Sequence, residues 1–255
     1  MSARPSASRL VVWALAGSLL CGIFVALGSW QVARRAWKLD LIARVEQRVH
    51  APAQEAPARA AWARINANDD AYRHIRLRGI FQHENETLVQ AVTTLGPGFW
   101  VLTPLRIADG SVVLINRGFV PTERRERSSR PGNEPAGEQT ISGLLRISEP
   151  DGAFLRGNDP AANRWYSRDV AAIAAARGLG ATSSAVAPYF VDADAVSNPS
   201  SDATAGRWPV GGLTVVSFHN SHLVYAITWY VLALMVAAGT IFLWRTERRR
   251  LQKNA

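Results

Sequence analysis

Two long apolar segments without a charged residue, 10–30 and 223–244, lie near the two ends of this 255-residue chain. A helix needs about 20 apolar residues to cross the roughly 30 Å hydrocarbon core of a bilayer, and both segments are long enough. We therefore predict two membrane-spanning helices. The chain then divides into a tail (1–9), a first span (10–32), a single domain (33–221), a second span (222–244) and a basic tail (245–255).

The positive charges of the two tails predict the orientation. The tails are basic overall and contain a single acidic residue, Glu247. Short Lys/Arg-rich segments stay in the cytoplasm, whereas a long segment is translocated largely regardless of its charge. We expect a protein of the cell inner membrane with both termini cytoplasmic and the 33–221 domain periplasmic. Arg34, Arg35 and Lys38 oppose this orientation. A cleaved signal peptide is the alternative for the first span, but the apolar run is long and lacks a clear cleavage site.

Charge and cysteine content argue against several functions. The formal net charge of +9 comes mostly from the tails, so the segment between them is nearly neutral and carries no dense basic surface for nucleic acid. We therefore expect the protein to contact membrane lipid and not nucleic acid. The one cysteine, Cys21, lies within the first apolar segment. A single thiol excludes an internal disulfide and a Cys-x-x-Cys pair, so a copper chaperone is not expected.

Between the spans, the hydrophobic pattern changes from helical to strand-like. Trp37, Leu41 and Val45 recur every four residues, so we expect the first helix to continue beyond the bilayer to about His50. The stretch APAQEAPARAA is typical of a linker. From Tyr72 onward, apolar and polar residues alternate as in half-buried strands.

Several short strands and one short helix are predicted in the rest of the domain. The strands lie at 87–92, 100–107, 112–120, 140–147 and 188–191, with a hairpin turn at 108–110. An alanine-rich helix is expected at 169–177, capped near Ser167 and ended by Gly178. The fold class is therefore α+β: two transmembrane helices, N- and C-terminal, bracket an extracytoplasmic domain with an antiparallel β-sheet and one or two helices.

Small residues follow one another at four-residue intervals in the first span. They are Ala14, Ser18, Gly22 and Ala26. Such a stripe lets another helix approach closely. We expect it to face the second span or a helix of a partner protein.

The second span begins with the sequence SFHNSHLVYAITWYVL. His219 and His222 are three residues apart on one helical face, and Trp229 lies roughly 10 Å deeper than His222 at about 1.5 Å of rise per residue. A histidine here can bind a metal or a haem iron through one ring nitrogen. Alternatively, Tyr225, Trp229 and Tyr230 form an interfacial aromatic belt and the histidines are merely solvated.

A search for catalytic motifs gives no candidate, so an enzyme is not expected. The sequence has no Gly-x-Ser-x-Gly elbow, no His-Glu-x-x-His and no glycine-rich phosphate loop. The remaining histidines are expected at the surface; they are His50, His74 and His83. Two polar clusters, Asn116-Arg117-Gly118 and Asn163-Arg164-Trp165-Tyr166, either bind a partner or cap and stack within the domain.

Several of these strings together resemble the Surfeit locus protein 1 family of membrane-anchored assembly factors for cytochrome c oxidase. The similarity runs nearly from end to end, with the strings in the same order. They are GSWQVARRAWKLDLI after the first span, PGFWVLTPLRIADGSVVLINRGFVP in the sheet, NDPAANRWYSRDVAAIA before the short helix, and NSHLVYAITWY entering the second span.

The resemblance implies a function that residue patterns alone do not reach. It implies a chaperone that binds haem a and helps its insertion into oxidase subunit I, with His222 as the axial ligand of the haem iron and Trp229 beside it. His219 is not part of that pattern. A haem a synthesis enzyme is a further expected partner, and Arg34, Arg35 and Lys38 are candidates to pair with the propionates. The alternatives are an assembly scaffold that contacts subunit I without stoichiometric haem, and a sensory or adaptor module, which the short tails argue against.

Overall fold

The computed structural model describes residues 7–150, 152, 156–180, 185–195, 207–213 and 220–253. The chain forms two compact units: one contains Met1–Arg44 with Ser217–Ala255, and the other is Val45–Val216. The helices are α1 (Ala7–Val49), α2 (Ala67–Asp70), α3 (Val170–Ala176) and α4 (His222–Lys253). The predicted fold class, a β-rich α+β domain between two apolar terminal helices, is confirmed.

Helices α1 and α4 are both long and apolar enough to cross a membrane. Their most apolar windows bury little or nothing against the rest of the protein, and Trp13, Leu19 and Phe242 are each 68% exposed. Large apolar side chains in such numbers are stable only in an apolar surrounding, which a lipid bilayer supplies. These helices fit a membrane-anchored protein. As predicted, α1 continues without a break past residue 32, to Val49.

Seven strands form the sheet of the second unit. They are β1 (Gln54–Glu55), β2 (His74–Phe81), β3 (Thr87–Thr93), β4 (Gly96–Ile107), β5 (Val112–Pro121), β6 (Glu138–Ile147) and β7 (Val186–Ala193). Their order is β1-β2-β6-β7-β5-β4-β3, and an additional pairing joins β2 to β4. This pairing closes β2, β6, β7, β5 and β4 into a barrel. Most pairings are antiparallel, but β1 pairs with β2, and β5 with β7, in parallel.

The alternating side chains of the strands supply two hydrophobic cores, one on each face of the barrel wall. In β5, Val113 and Ile115 belong to the first core together with Leu77 and Tyr189. The intervening Val112 and Leu114 belong to the second core, which α3 covers with Ile173 and its neighbours. An alternation with a period of two is what a strand with both faces buried requires.

Two local predictions are corrected. Helix α3 is capped by Asp169, whose side chain accepts a hydrogen bond from the Ala172 N–H, and not by Ser167. The Ser167 hydroxyl instead donates to the Glu149 carbonyl at 2.7 Å. The Ala/Pro-rich stretch is also more than a linker, because it contains β1 and the start of a 3-10 helix (Arg59–Arg64) whose Trp62 is buried in the first core. Gly178, with a φ of +64°, follows α3 as expected.

Candidate functional site

Within the unit that contains both long helices, α1 and α4 pack antiparallel along a seam spaced alternately by three and four residues. On α1 the seam contains Ala14, Gly17, Cys21, Phe24, Gly28 and Gln31. This spacing is that of coiled-coil packing. Among the predicted small-residue stripe, only Ala14 lies on the seam, while Ser18, Gly22 and Ala26 are exposed. Four-residue steps drift by roughly 40° each around a helix, so a strict four-residue stripe leaves the contact face.

His222 lies where α4 begins, and two contacts hold it, one at the imidazole and one at the backbone N–H. Its Nδ1 is 2.7 Å from the Gln31 side-chain oxygen of α1. Its backbone N–H donates to Asn220 Oδ1 at 3.3 Å, which caps the start of the helix. Within the described part of the chain, no group hydrogen-bonds to Nε2. His222 therefore presents one ring nitrogen that is free to bind a ligand or a metal.

Trp229 lies on the same side of α4 as His222, two turns further along the helix. Its ring stacks on Phe24 of α1, with centroids 5.6 Å apart and an interplanar angle of 30°. Ala226, only 2% exposed, lies between the two residues. Beside them, Tyr225 keeps 54% of its surface exposed. The two site residues predicted for α4 thus share one face, next to an exposed aromatic side chain.

Gln31 is a residue of this site that sequence reasoning missed. It is the first polar side chain of appreciable size after the uncharged run at 10–30. It also lies one heptad after Phe24, on the seam. A buried or membrane-facing amide needs a hydrogen-bond partner, so its position at the end of a span was the available signal. Its partner, His222, is 191 residues away.

Three cationic residues continue the Gln31 side of α1. Arg34, Arg35 and Lys38 lie three, four and seven residues after Gln31, which are the spacings of one helical face. The Arg34 guanidinium lies 4.1 Å from the centroid of the Trp37 ring. Among the described residues, no carboxylate pairs with any of the three. These cations remain available to an anionic group.

The other histidines lie elsewhere, and His219 lies outside the described residues. His50 is an exposed side chain at the end of α1, 75% exposed and 3.3 Å from Glu46. Contrary to the prediction that they lie at the surface, His74 and His83 are partly buried. His74 Nε2 is 2.8 Å from Asp194 Oδ2, and its Nδ1 is 2.8 Å from the Ala51 carbonyl oxygen.

His74 gives the domain a pH-dependent contribution to stability. Burial alone would lower the pKa of His74, but the hydrogen bonds to Ala51 and Asp194 outweigh it and raise that pKa above its usual value of 6.5. A raised pKa in the folded state stabilises the fold fully below the unfolded pKa, and this contribution is lost as the pH rises through the folded pKa. The urea midpoint of wild type should therefore exceed that of His74→Gln. The difference between the two midpoints should be largest below pH 6.5 and should decrease above it.

The control for that measurement is His50→Gln, which removes an exposed histidine from the same protein. Its midpoint should follow that of wild type at every pH. Both series use detergent-solubilised full-length protein between about pH 5 and pH 8.5, the range in which histidine titrates. A constant difference between wild type and His74→Gln over this range would contradict the prediction.

A buried ionic network centred on Asp192 lies at the side of the barrel. The Asp192 carboxylate accepts from Asn116 Nδ2 at 2.7 Å, from Arg146 at 2.7 Å and from Arg168 at 3.2 Å. Glu149 pairs with Arg168 at 2.6 Å. Burial alone would lower the pKa of Arg168, but Asp192 and Glu149 outweigh it and raise that pKa. Every charge of this network has a partner within the network, so none of them is buried without a compensating charge.

The cluster Asn116-Arg117-Gly118 also has internal partners. Asn116 bonds Asp192, and Arg117 donates to the Asn133 carbonyl. Burial lowers the pKa of Arg117 to about 10. Gly118 has a φ of +130°, and a Cβ there would collide with the Val210 carbonyl. Of the two interpretations of this cluster, the structure favours capping and stacking within the domain.

The second polar cluster, Asn163-Arg164-Trp165-Tyr166, also makes contacts within the domain. Trp165 is 2% exposed and belongs to the second core. Its indole N–H donates to Asn163 Oδ1 at 2.9 Å, and Arg164 pairs with Asp159 at 2.6 Å. The His222 region is therefore the best candidate for a binding site.

The chain is similar to known proteins over most of its length. Residues 19–234 match the model of the SURF1 family. Surfeit locus protein 1 of Mus musculus is 35% identical over 234 residues, which cover 86% of this chain and 70% of that protein. Surfeit locus protein 1 of Homo sapiens is 34% identical over 235 residues, which cover 86% of this chain and 71% of that protein. A SURF1-like protein of Monosiga brevicollis is 32% identical over 236 residues, which cover 88% of this chain and 84% of that protein.

The matched range includes the whole barrel and the site. Gln31, His222 and Trp229 all lie between residues 19 and 234. The family resemblance noted in the sequence is thereby confirmed, at an identity of about one-third over most of the chain. The match and the two apolar terminal helices around a β-rich domain lead to one assignment: this chain belongs to the SURF1 family.

Proposed function

We propose that this protein is a membrane-anchored assembly factor for cytochrome c oxidase that binds haem a and aids its insertion into subunit I. The observation that carries the proposal is the His222 imidazole, held through Nδ1 by Gln31 at 2.7 Å, with Nε2 free of any described partner. Membership of the SURF1 family supports the same function. Haem a would be cargo, held for transfer.

The residues around His222 fit the chemistry of a haem. A neutral imidazole nitrogen is a common axial ligand of haem iron. Tyr225 and Trp229 offer aromatic surface at the end of a span, where an apolar macrocycle and tail can leave water. Arg34 and Arg35 carry charge without a described acidic partner, as propionates require. When bound, the haem would supply an iron centre with an open coordination position for the imidazole.

The chain's own residues would then bind, orient and shield this cargo. Asn220 holds the backbone of His222 and Gln31 holds its imidazole, and the seam beneath the ring, with Trp229 on Phe24, excludes water from that side. The basic C-terminal end of α4, with Arg248 and Arg249, supports a cytoplasmic C-terminus. On that orientation His222 lies at the periplasmic side of an inner membrane.

The test is an absorption spectrum of the full-length protein, purified in detergent from cells that co-express the haem a synthesis enzymes. We expect close to one haem a per chain. An empty membrane protein with two spans, purified from the same cells, controls for haem dissolved in detergent micelles. A colourless wild-type protein would overturn haem binding and favour a scaffold that contacts subunit I without stoichiometric haem.

The role of the basic side of α1 has its own test. The double variant Arg34→Glu/Arg35→Glu should insert normally yet retain less haem a, because two propionate partners become repulsive. Arg44→Glu is the matched control, since it reverses an exposed arginine of the same helix roughly 20 Å from Gln31. Haem content per chain, measured as the pyridine haemochrome, gives the result. An unchanged haem content in the double variant would contradict the contact between these arginines and the propionates.

A further inference from the structure

We propose that Gln31 positions His222 for iron, by accepting the hydrogen bond of Nδ1–H and so leaving the Nε2 lone pair for the metal. The inference rests on the proposed haem function and deepens it. It gives a role to a further residue of α1, and it makes the contact between the two helices a part of the binding site.

The atoms in contact determine which nitrogen carries the proton. The Gln31 Oε1 atom has lone pairs but no hydrogen, so it can only accept. At 2.7 Å from Nδ1, it requires a proton on that nitrogen. A neutral imidazole has a single N–H. In the neutral imidazole this contact therefore leaves Nε2 of His222 without a proton, so that it can donate its lone pair to a metal.

The same contact restricts the orientation of the ring. The backbone of His222 is tied to Asn220, and Gln31 fixes the ring about its side-chain bonds. Histidine ligands of metals commonly donate their second ring nitrogen to an acceptor of this kind, which sets tautomer and direction and raises ligand strength. Loss of such a partner typically weakens metal affinity by about 10- to 100-fold.

Gln31 is suited to this role by its place in the sequence. It is the first long polar side chain after an uncharged span, and it faces the seam on which Phe24 packs. At the edge of a bilayer its amide loses water and needs a partner. His222 is the partner, and the carboxamide adds no net charge where the iron would bind.

Three variants of the full-length protein test this inference. Gln31→Leu removes the acceptor at similar size, and Gln31→Glu keeps an acceptor at the same reach. Ser29→Ala removes another contact between the same two helices, the 3.1 Å hydrogen bond of Ser29 Oγ with Tyr230 Oη, and so controls for helix packing. Each is measured without haem, by nitrogen-15 NMR of labelled histidines, and with haem a, by titration. The His222 signals are assigned from His222→Ala.

In the haem-free wild type we expect a protonated Nδ1 and an unprotonated Nε2. Gln31→Leu should show a mixture of tautomers and bind haem a about 10- to 100-fold more weakly. Gln31→Glu should keep both the tautomer and the binding, with a lower iron reduction potential because the acceptor is charged. Ser29→Ala should match wild type in both measurements.

Several results would overturn the inference. One is a wild-type His222 protonated at Nε2; another is a Gln31→Leu protein that binds haem a as tightly as wild type or more so. If Ser29→Ala weakens haem a binding as much as Gln31→Leu does, Gln31 contributes only to helix packing. If wild type binds haem and only these expectations fail, the proposed function stands. If wild type binds no haem, that function fails first, whatever tautomer the NMR shows, and the positioning role fails with it.

Discussion

Full-length protein carrying His222→Ala should leave purification without haem a, under conditions in which wild type retains it. The variant removes the only described imidazole at this end of α4, and with it the bond to iron. We expect affinity to fall by more than the roughly 100-fold that loss of a supporting partner costs. The measurement is haem per chain together with the Soret absorption of the bound fraction.

Two comparisons separate loss of a ligand from loss of structure. His50→Ala removes the exposed histidine that directly follows α1 and should retain haem as wild type does. His222→Gly leaves a cavity that added imidazole can enter, so free imidazole should restore the wild-type spectrum. Equal haem content in wild type and His222→Ala would show that another residue is the ligand. Failure of imidazole to restore binding, in a protein that is otherwise folded, would point to the same conclusion.

Asp192→Ala should destabilise the barrel by about 3–5 kcal/mol, which is the usual cost of removing one partner from a buried ion pair. Asp192 is 3% exposed, and its carboxylate bonds both Arg146 and Arg168. Without it, Glu149 alone faces two partly buried guanidinium groups. A typical domain is stable by only about 5–15 kcal/mol, so this substitution should remove a large fraction of the free energy of unfolding. The urea midpoint of the full-length protein in detergent is the measurement.

The matched control is an ion pair of similar length at the surface. Asp159 and Arg164 lie 2.6 Å apart with side chains 36% and 62% exposed, where solvent screens the attraction. Arg164→Ala removes this pair and leaves the hydrogen bond from the Ala162 N–H to Asp159 in place, so it should leave the midpoint of the barrel close to that of wild type. If the two variants shift the midpoint equally, the burial of the Asp192 network does not determine its contribution.

The parts of the fold that local patterns determine could be predicted from the sequence. The apolar runs predict α1 and α4, and the alternation of Ile75 and Leu77 with polar neighbours predicts β2. The turn at 108–110 lies between β4 and β5, as expected. Closure of the barrel could not be predicted, because the pairing of β2 with β4 and the parallel pairing of β5 with β7 depend on contacts between distant segments. Trp62 was missed because it directly follows a proline-rich stretch that has no periodic pattern.

The candidate site was predictable in part. His222 and Trp229 follow from the family resemblance, and the order of residues on one helix places them on a common face. Gln31 could not be assigned to the site in the same way, because its contact with His222 depends on how α1 packs on α4. The alternating spacing of three and four residues from Ala14 to Gln31 is visible in the sequence, but the four-residue stripe of small residues hid it. Glycine and alanine are common in spans, so such a stripe alone does not identify a contact face.

The last strand of the barrel to be synthesised is a central one. β7 (Val186–Ala193) lies between β5 and β6 and bonds to both, so neither neighbour has its full complement of main-chain partners until residue 193 has been made. At typical translation rates, the interval from the end of β6 lasts on the order of several seconds. During that time two strands present open edges to any other nascent chain. A chain that terminates before residue 186 would keep those edges permanently, which makes premature termination more harmful here than in a fold whose final strand is peripheral.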